Sequence, residues 1–423
     1  MQLLLINHSL YTGGVETLMV RMANWLVRNG HGCSILLRDS FAGDLTEMLH
    51  PDVRLRVVSN QWDLLALPPI GRMLWAHWDL PKPDAIYTLE QNWSTVGLLV
   101  RDLFPQAPPA VVTGAYHLNQ FAYEGTPLKW GRLALFKQRI YDHYYLDSQK
   151  FFMSEETRIG HETFFKRGLQ EGWVWPLPIE IPSGESLLER KPVPYRILSI
   201  GRLTLFKTYS WYMVPILRSL KENYPDVSWH VYGFGGCERE LVDEVWKDAI
   251  RDGLIVFHGP IAYQEIRSAF DQAAVFIGMG TALLEAAAAG VPCIPAVVDD
   301  RESATWGFID QMPYFSVGET VPGTEPDQRV EELLHQLFLS SPAQVEAVVT
   351  AGRNYVNVYS SNRLMNQFLV HLAELERGHA LPLNVKLHYL WIRSLKLIRN
   401  VCLSFSRLGK EPIRHPGGDR LLH

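Results

Sequence analysis

The chain has 423 residues, more than one hydrophobic core usually holds, so two domains are expected. Hydrophobic residues make up 47% and charged residues 20% of the chain, as in water-soluble globular proteins, and no run is of low complexity. The net charge is −5 but is unevenly distributed. Residues 381–423 carry eight Lys and Arg against two acids, a net +6, which leaves −11 for the rest. An acidic body argues against a nucleic-acid partner.

The sequence predicts a cytoplasmic protein. The apolar start, Met1 to Ile6, is short and lacks the positive segment of a secretory signal. No window approaches the roughly 18 uninterrupted apolar residues of a membrane span. The cysteines are scattered without metal-binding spacing, which is typical of a reducing compartment. They are Cys33, Cys237, Cys293 and Cys402.

Strand-like and helix-like runs alternate along the chain, which predicts parallel α/β sheets. Five prolines in residues 176–194 indicate a linker between two such series. The predicted strands are Gln2–Asn7, Ser34–Leu37, Ala85–Thr88, Ala110–Thr113 and Phe151–Met153, then Arg196–Ile200, Ser228–Tyr232, Ile255–His258, Ala274–Ile277, Cys293–Ala296 and Tyr314–Ser316. The clearest predicted helices are Val15–Asn29, Asp327–Leu339, Pro342–Tyr359 and Asn362–Glu376.

The predicted fold class is α/β, with two Rossmann-like, doubly wound domains that face a cleft in which ligands bind. Residues 1–180 are expected to form the first domain and residues 181–360 the second. A helix within residues 361–380 is expected to cross back to the first domain. Residues 381–423 form a basic amphipathic tail.

The stretch from Ala274 to Ala296 predicts an anion site. Its strand, Gly278-Met279-Gly280 turn and helix start would present free backbone N–H groups and the positive end of a helix dipole. Arg202 follows the predicted strand Arg196–Ile200, with Lys207 soon after. Arg offers phosphate oxygens a planar fork and Lys a point charge, so this pair suits a diphosphate, although two solvated loop residues would look the same.

Six segments in order carry a family resemblance. They are TGGVE (12–16), GAYH (114–117), SEET (154–157), GRLTLFK (201–207), VYGFGG (231–236) and GMGTALLEAAAAGVP (278–292). This set resembles the GT-B glycosyltransferases, specifically the retaining family called GT4 (glycosyl transferases group 1), over roughly residues 1–378.

The resemblance implies a retaining hexosyltransferase that needs no metal or other cofactor. It makes residues 1–180 the acceptor-side domain and residues 181–360 the nucleotide-sugar-binding domain. It would move a sugar from a UDP- or GDP-sugar to a lipid-linked or saccharide acceptor, in assembly of a surface polysaccharide. Arg202 and Lys207 would be catalytic, stabilising the diphosphate leaving group. Glu285 would accept hydrogen bonds from the ribose, or would only complement the helix N-terminus.

The same resemblance assigns the remaining site residues. His117 would be the third catalytic residue, lying over the transferred sugar and aligning donor and acceptor, or is a structural histidine. Glu16 would contact the acceptor, or only the helix dipole. The backbone would complete the donor site at Gly13, Gly14, Gly233, Gly235, Gly259, Gly280 and Thr281, with Gly14 either approached closely by the donor or only forming a turn.

One residue departs from the family pattern. The family has two glutamates in an E(x)7E motif, the second corresponding to Glu285. The position eight residues upstream is Ile277. The loop is cut to Gly278–Thr281, so the role of the first carboxylate passes to the N–H groups of Gly280 and Thr281 or is lost.

Residues 385–410 predict an amphipathic helix. Its apolar stripe runs through Leu387, Trp391 and Leu395, and its basic side includes Lys386 and Arg393. Such a helix suits the anionic inner face of the cell membrane, although the stripe could equally dock on the protein's own core or on a second subunit.

Two other functions stay open. The non-hydrolysing UDP-sugar 2-epimerases share the architecture, and would release an epimer without an acceptor. A non-catalytic nucleotide-sugar-binding subunit fits the shortened loop, and would bind the donor without turnover.

Overall fold

A computed structural model describes residues 1–10, 13–39, 44–116, 132–182, 190–320 and 323–408, with the backbone alone for residues 396–408. The chain divides into two compact units. The first comprises Met1–Met153, Thr157–Val174 and Leu369–His423, and the second comprises Ser154–Glu156 and Trp175–Phe368. Residues 183–189 of the predicted linker lie outside the described residues, as does His117.

The first unit is built on a seven-stranded sheet in which every strand pair is parallel. Its strands are β1 (Gln2–Asn7), β2 (Gly32–Leu37), β3 (Arg54–Val57), β4 (Ala85–Thr88), β5 (Ala110–Ala115), β6 (Lys150–Phe152) and β7 (Trp173–Val174). The helices that lie between these strands along the chain are α1 (Gly14–Arg28), α2 (Pro68–His77), α3 (Ser94–Arg101), α4 (Arg132–Tyr144) and α5 (Glu155–Phe165). The central strands are apolar runs because parallel sheets are buried on both faces.

The second unit is built on a five-stranded parallel sheet. Its strands are β8 (Arg196–Ile200), β9 (Ser228–Tyr232), β10 (Ile255–Gly259), β11 (Val275–Gly278) and β12 (Cys293–Pro295), and β13 (Ala304–Thr305) and β14 (Gln328–Arg329) form a separate antiparallel pair. Its helices are α6 (Tyr209–Asn223), α7 (Glu238–Glu240), α8 (Lys247–Arg251), α9 (Ile266–Gln272), α10 (Thr281–Ala288), α11 (Val330–Leu339) and α12 (Pro342–Val356), followed by α13 (Ser361–Glu374).

Strand order places a ligand-binding edge in each sheet. The first sheet runs β3-β2-β1-β4-β5-β6-β7 and the second runs β10-β9-β8-β11-β12. Connections therefore reverse direction between β1 and β4, and again between β8 and β11. Ligands of doubly wound sheets bind outside the carboxyl ends of the strands at this reversal. The predicted fold class of two Rossmann-like parallel-sheet domains is confirmed.

Helix α13 carries the chain from the second unit back into the first, and α14 (Leu383–Leu408) ends the described part. The ring of His371 in α13 stacks on Trp173 of β7, and its Nε2 lies 3.0 Å from the carbonyl oxygen of Ser148. Across the described residues, no helix has the length and apolar character that a membrane crossing requires.

The strand predicted at Tyr314–Ser316 is wrong, because this segment forms a turn. Phe315 has a φ of 69°, which no strand residue adopts, and its N–H donates to the hydroxyl of Tyr359 at 2.8 Å. The ring of Tyr314 stacks on that of Tyr355. Aromatic packing therefore decides the conformation of this segment against its strand propensity.

Candidate active site

The loop after β8 holds both predicted cations of the second unit. Ser199 near the end of β8 donates its hydroxyl to the carbonyl of Ile277 in β11 at 2.6 Å, which ties the two strands together at the reversal point. Arg202 follows directly and is exposed. Lys207 lies half-buried at the end of the same loop, where its N–H donates to Thr204.

The ammonium group of Lys207 lies above the strand end. A β-carbon on Gly201 would approach Nζ to 2.7 Å, so the absence of a side chain at Gly201 makes room for the ammonium. Burial, and secondly the charge of Arg202, lower the pKa of Lys207 to about 8. Two cations held together against mutual repulsion and desolvation favour binding of an anion, which would relieve both costs.

The loop after β9 packs directly on this cation loop. The N–H of Leu203 donates to Phe234, and the N–H of Cys237 donates to Leu203. A β-carbon on Gly233 would lie 2.0 Å from the carbonyl oxygen of Gly201, and one on Gly235 would lie 2.2 Å from that of Leu203. These two glycines are therefore required for the close backbone approach. Gly233 also donates its N–H to Gly259 at the end of β10.

The turn between β11 and α10 has the form predicted from the sequence but not all of its free donors. Gly280 is the N-cap residue of α10, with φ 77° and ψ −158°, a region essentially restricted to glycine. Its N–H donates to the carbonyl oxygen of Val317 at 2.8 Å. The predicted use of this N–H in place of the missing glutamate therefore conflicts with the structure, and Thr281 begins the helix beyond it.

Backbone hydrogen bonds join the cation loop to this turn. Phe206 accepts from the N–H of Asp299 at 3.0 Å, and the neighbouring Val298 donates to Gly318 at 2.8 Å. Gly318 follows Val317, whose carbonyl oxygen accepts the N–H of Gly280. Residues 298–299 and 317–318 thus form a frame that fixes the positions of Lys207 and the helix start relative to each other.

Glu285 lies in the second turn of α10 and is half-buried. The hydroxyl of Tyr263 donates to its Oε1 at a long 3.4 Å. Tyr263 sits in the loop that follows β10, so the contact joins the helix to the edge of the sheet. A carboxylate held in this way is placed to accept from a ligand hydroxyl.

Aromatic rings gather where β9 and β10 end. Tyr232 stacks on His258 with ring centroids 4.2 Å apart, and His258 Nε2 lies 3.0 Å from Nδ1 of His230. Burial, followed by the charges of Arg196 and His258, lowers the pKa of His230 to about 4. His230 is therefore neutral at pH 7, and burial followed by the charge of Arg196 also lowers the pKa of His258.

A buried carboxyl group supports the segment behind the turn. Glu319 accepts from the hydroxyl of Ser154 at 2.7 Å, and its backbone carbonyl accepts from the hydroxyl of Ser316 at 2.7 Å. Burial raises the pKa of Glu319 to about 8, the Ser154 bond lowers it and the nearby Glu156 raises it. Glu319 is therefore largely protonated at neutral pH.

In the first unit, Gly13 and Gly14 begin α1 after the loop that follows β1. The carboxylate of Glu16 folds back over Gly13, since a β-carbon there would meet Oε2 at 2.3 Å. Gly14 is exposed and a β-carbon on it would meet no atom within 4 Å, so the space above it is open. The expected role of His117 stays a prediction, since that residue is not described.

The sequence did not predict the roles of Tyr263, Val317 or Glu319. Each acts through a contact with a residue more than 20 positions away, and no local pattern encodes such contacts. Within the described residues, no group of three or more His, Cys, Asp or Glu side chains could hold a metal ion.

Comparison with solved structures identifies the fold as GT-B. The apo lipopolysaccharide outer core galactosyltransferase WaaB aligns with a TM-score of 0.54 and 12% identity over 89% of this chain and 100% of that one. Anabaena HepE, in complex with UDP and glucose, aligns at 0.59 and 16% over 89% and 100%. A Rickettsia africae glycosyltransferase aligns at 0.59 and 14% over 89% and 99%. At these identities the likeness shows the fold alone.

Residues 194–308 match the family model described as Glycosyl transferases group 1. The match includes the cation loop with Arg202 and Lys207, the Gly280 turn and Glu285. The predicted resemblance to group 1, GT-B glycosyltransferases is thereby confirmed, and fold and family match together support a glycosyltransferase. No curated protein matches the chain.

Proposed function

We propose that this protein is a retaining glycosyltransferase of the GT4 type. It moves a hexose from a UDP- or GDP-sugar to a lipid-linked or saccharide acceptor, in assembly of a surface polysaccharide at the inner face of the cell membrane. The observation that carries the proposal is the pair Arg202 and Lys207, held at the reversal point beside the start of α10. The bound UDP and glucose of Anabaena HepE support a nucleotide-sugar as the donor.

Each site residue has a separate role in binding the donor or the acceptor. Arg202 and Lys207 bind the diphosphate and stabilise the charge that builds on it as the glycosidic bond breaks. Glu285, beside Tyr263, accepts from the ribose hydroxyls. The stacked Tyr232 and His258 border the base. Gly14 leaves room for the donor above α1, Glu16 contacts the acceptor, and His117 aligns the sugar with it.

Turnover of nucleotide-sugars tests the proposal. The purified protein is expected to release UDP or GDP slowly from one nucleotide-sugar, and faster with a lipid-linked or saccharide acceptor. Lys207→Ala should lower this rate by about 100-fold or more, as loss of a group that stabilises developing charge does. Glu285→Ala should also lower the rate, because the contact to the ribose is lost. Lys221→Ala, which removes an exposed lysine of α6, should leave the rate unchanged.

Normal turnover by the Lys207 and Glu285 variants would contradict the site. An epimer formed without acceptor would instead indicate a 2-epimerase, and binding without turnover a non-catalytic subunit. Unchanged activity in EDTA would support the expected metal independence, and the anomeric configuration of the product tests retention.

A further inference from the structure

One face of α14 is fixed to the first unit by two ion pairs, one buried and one partly buried. Lys386 Nζ lies 2.7 Å from Asp102 Oδ2, an oxygen that also accepts the N–H of Leu381. Arg393 Nη2 lies 2.6 Å from Asp63, which also accepts the hydroxyl of Tyr389. Lys386 and Arg393 thus lie opposite the apolar stripe, as predicted, but both charges are paired with carboxylates of the unit.

The opposite face of α14 exposes a row of large apolar side chains. Leu383 is 64% exposed, Leu387 50%, Trp391 51% and Leu395 38%. The residues recur every fourth position, so they lie side by side along one line of the helix. Ile392, from the inward face, is buried with Tyr389 in the core of the unit. The helix is thus anchored by one side while a continuous apolar ridge faces outward.

The net charge of the residues that follow the apolar ridge favours an anionic partner. Residues 396–423 hold six Lys and Arg against two acids, a net +4, whereas residues 1–380 carry −11. The apolar ridge, with its exposed Trp, suits the hydrocarbon part of a lipid bilayer, and the positive extension suits anionic headgroups. A second copy would bring the same positive extension against this one, which opposes self-association through the ridge.

We propose that the outward face of α14, through Leu383, Leu387, Trp391 and Leu395, is a docking surface for an anionic lipid bilayer. The two Asp-centred ion pairs set which side of the helix meets the lipid, and so how the first unit is presented to it. Binding to lipid does not depend on catalysis. The consequence that a lipid-linked acceptor reaches the enzyme at this surface rests on the proposed function.

Vesicle co-sedimentation of the full chain tests the surface. The protein is expected to bind vesicles of phosphatidylcholine with phosphatidylglycerol, and to bind phosphatidylcholine alone weakly. A Leu387→Ser, Trp391→Ser, Leu395→Ser triple variant should lose about tenfold or more in partitioning because the apolar ridge is removed. The matched control is Met73→Ser with Leu339→Ser, two exposed apolar residues elsewhere, which should bind as the parent does.

Equal vesicle binding by the triple variant and the parent would overturn the proposal, as would no binding by the parent. A dimer seen by light scattering that the triple variant abolishes, without vesicle binding, would assign the ridge to self-association instead. Thermal unfolding checks that the triple variant is folded. Donor turnover measured without lipid separates failure of this surface from failure of the proposed activity.

Discussion

Lys207 is the side chain on which the proposed donor chemistry depends most. Its ammonium must be protonated to attract a diphosphate, and its pKa in the free protein is lowered to about 8. We therefore expect the affinity for UDP or GDP to fall as the pH rises through 8. Affinity should level off towards about pH 7, where the terminal phosphate of the nucleotide, with a pKa of about 6, is still mostly ionised. Titration calorimetry over a pH series measures this dependence.

Lys207→Arg provides the control for that series, since a guanidinium stays protonated throughout. The variant should bind nucleotide with an affinity that does not change around pH 8. A parallel decline of affinity in the variant and the parent would show that some other group titrates.

Glu319 should make stability depend on pH. Its pKa in the folded chain is about 8, against an ordinary value of 4.5, so the folded state binds more protons than the unfolded state between these values. The free energy of unfolding should therefore fall as the pH rises from 4.5 to 8. Glu319→Gln removes this dependence, so its denaturation curves should show a smaller decline with pH.

The control is Glu346→Gln, at an exposed glutamate of the same unit. Its free energy of unfolding should fall with rising pH as that of the parent does. If Glu319→Gln keeps the full decline, the buried carboxyl group is not its source.

Local sequence was sufficient to place some of these residues and not others. Arg202 and Lys207 follow a predictable strand, and the carboxyl end of a parallel strand is where ligands bind. The partner of Glu285 was not predictable, because Tyr263 meets it only once α10 has packed beside the β10 loop. The carbonyl of Val317 likewise reaches Gly280 from a segment 37 positions away.

The turn that begins α10 depends on Gly280. Its φ of 77° and ψ of −158° are strained for any residue with a β-carbon, so Gly280→Ala should lower the free energy of unfolding by about 1–3 kcal/mol. It should also weaken nucleotide binding, because the helix start moves. Urea denaturation and calorimetry measure the two effects.

Gly236→Ala is the matched change in the loop after β9, where a β-carbon would meet no atom within 4 Å. It should cost little stability. A similar loss in both variants would mean that the backbone at Gly280 is not specially constrained.

Strands with apolar runs were predicted well, and short or exposed strands were missed. β8 and β9 have the predicted bounds: β8 is mostly apolar, and the residues of β9 alternate between buried and partly exposed, as the period of a strand requires. β3 is an edge strand with mostly exposed residues, and β7 has only two, so neither carries a pattern. These two edge strands lack the burial on both faces that produces a continuous hydrophobic run.

Across the whole molecule, the sequence pattern identified the helix of the tail but not the orientation of its sides. The periodicity separated the stripe of Leu387 and Trp391 from Lys386 and Arg393. Which side is buried depended on Asp63 and Asp102, which lie in residues far earlier in the chain. Buried ion pairs override the usual expectation that basic residues face water, because each charge has a partner.

Nucleotide binding by the parent and by Lys207→Met is the most direct test of the central claim. Calorimetry is expected to show one site for UDP or GDP in the parent, and an affinity lower by about tenfold or more in the variant, since a charge-assisted contact contributes about 1.5–3 kcal/mol. Lys221→Met should bind as the parent does. Equal affinity in the parent and Lys207→Met, or no nucleotide binding by the parent, would contradict the donor site.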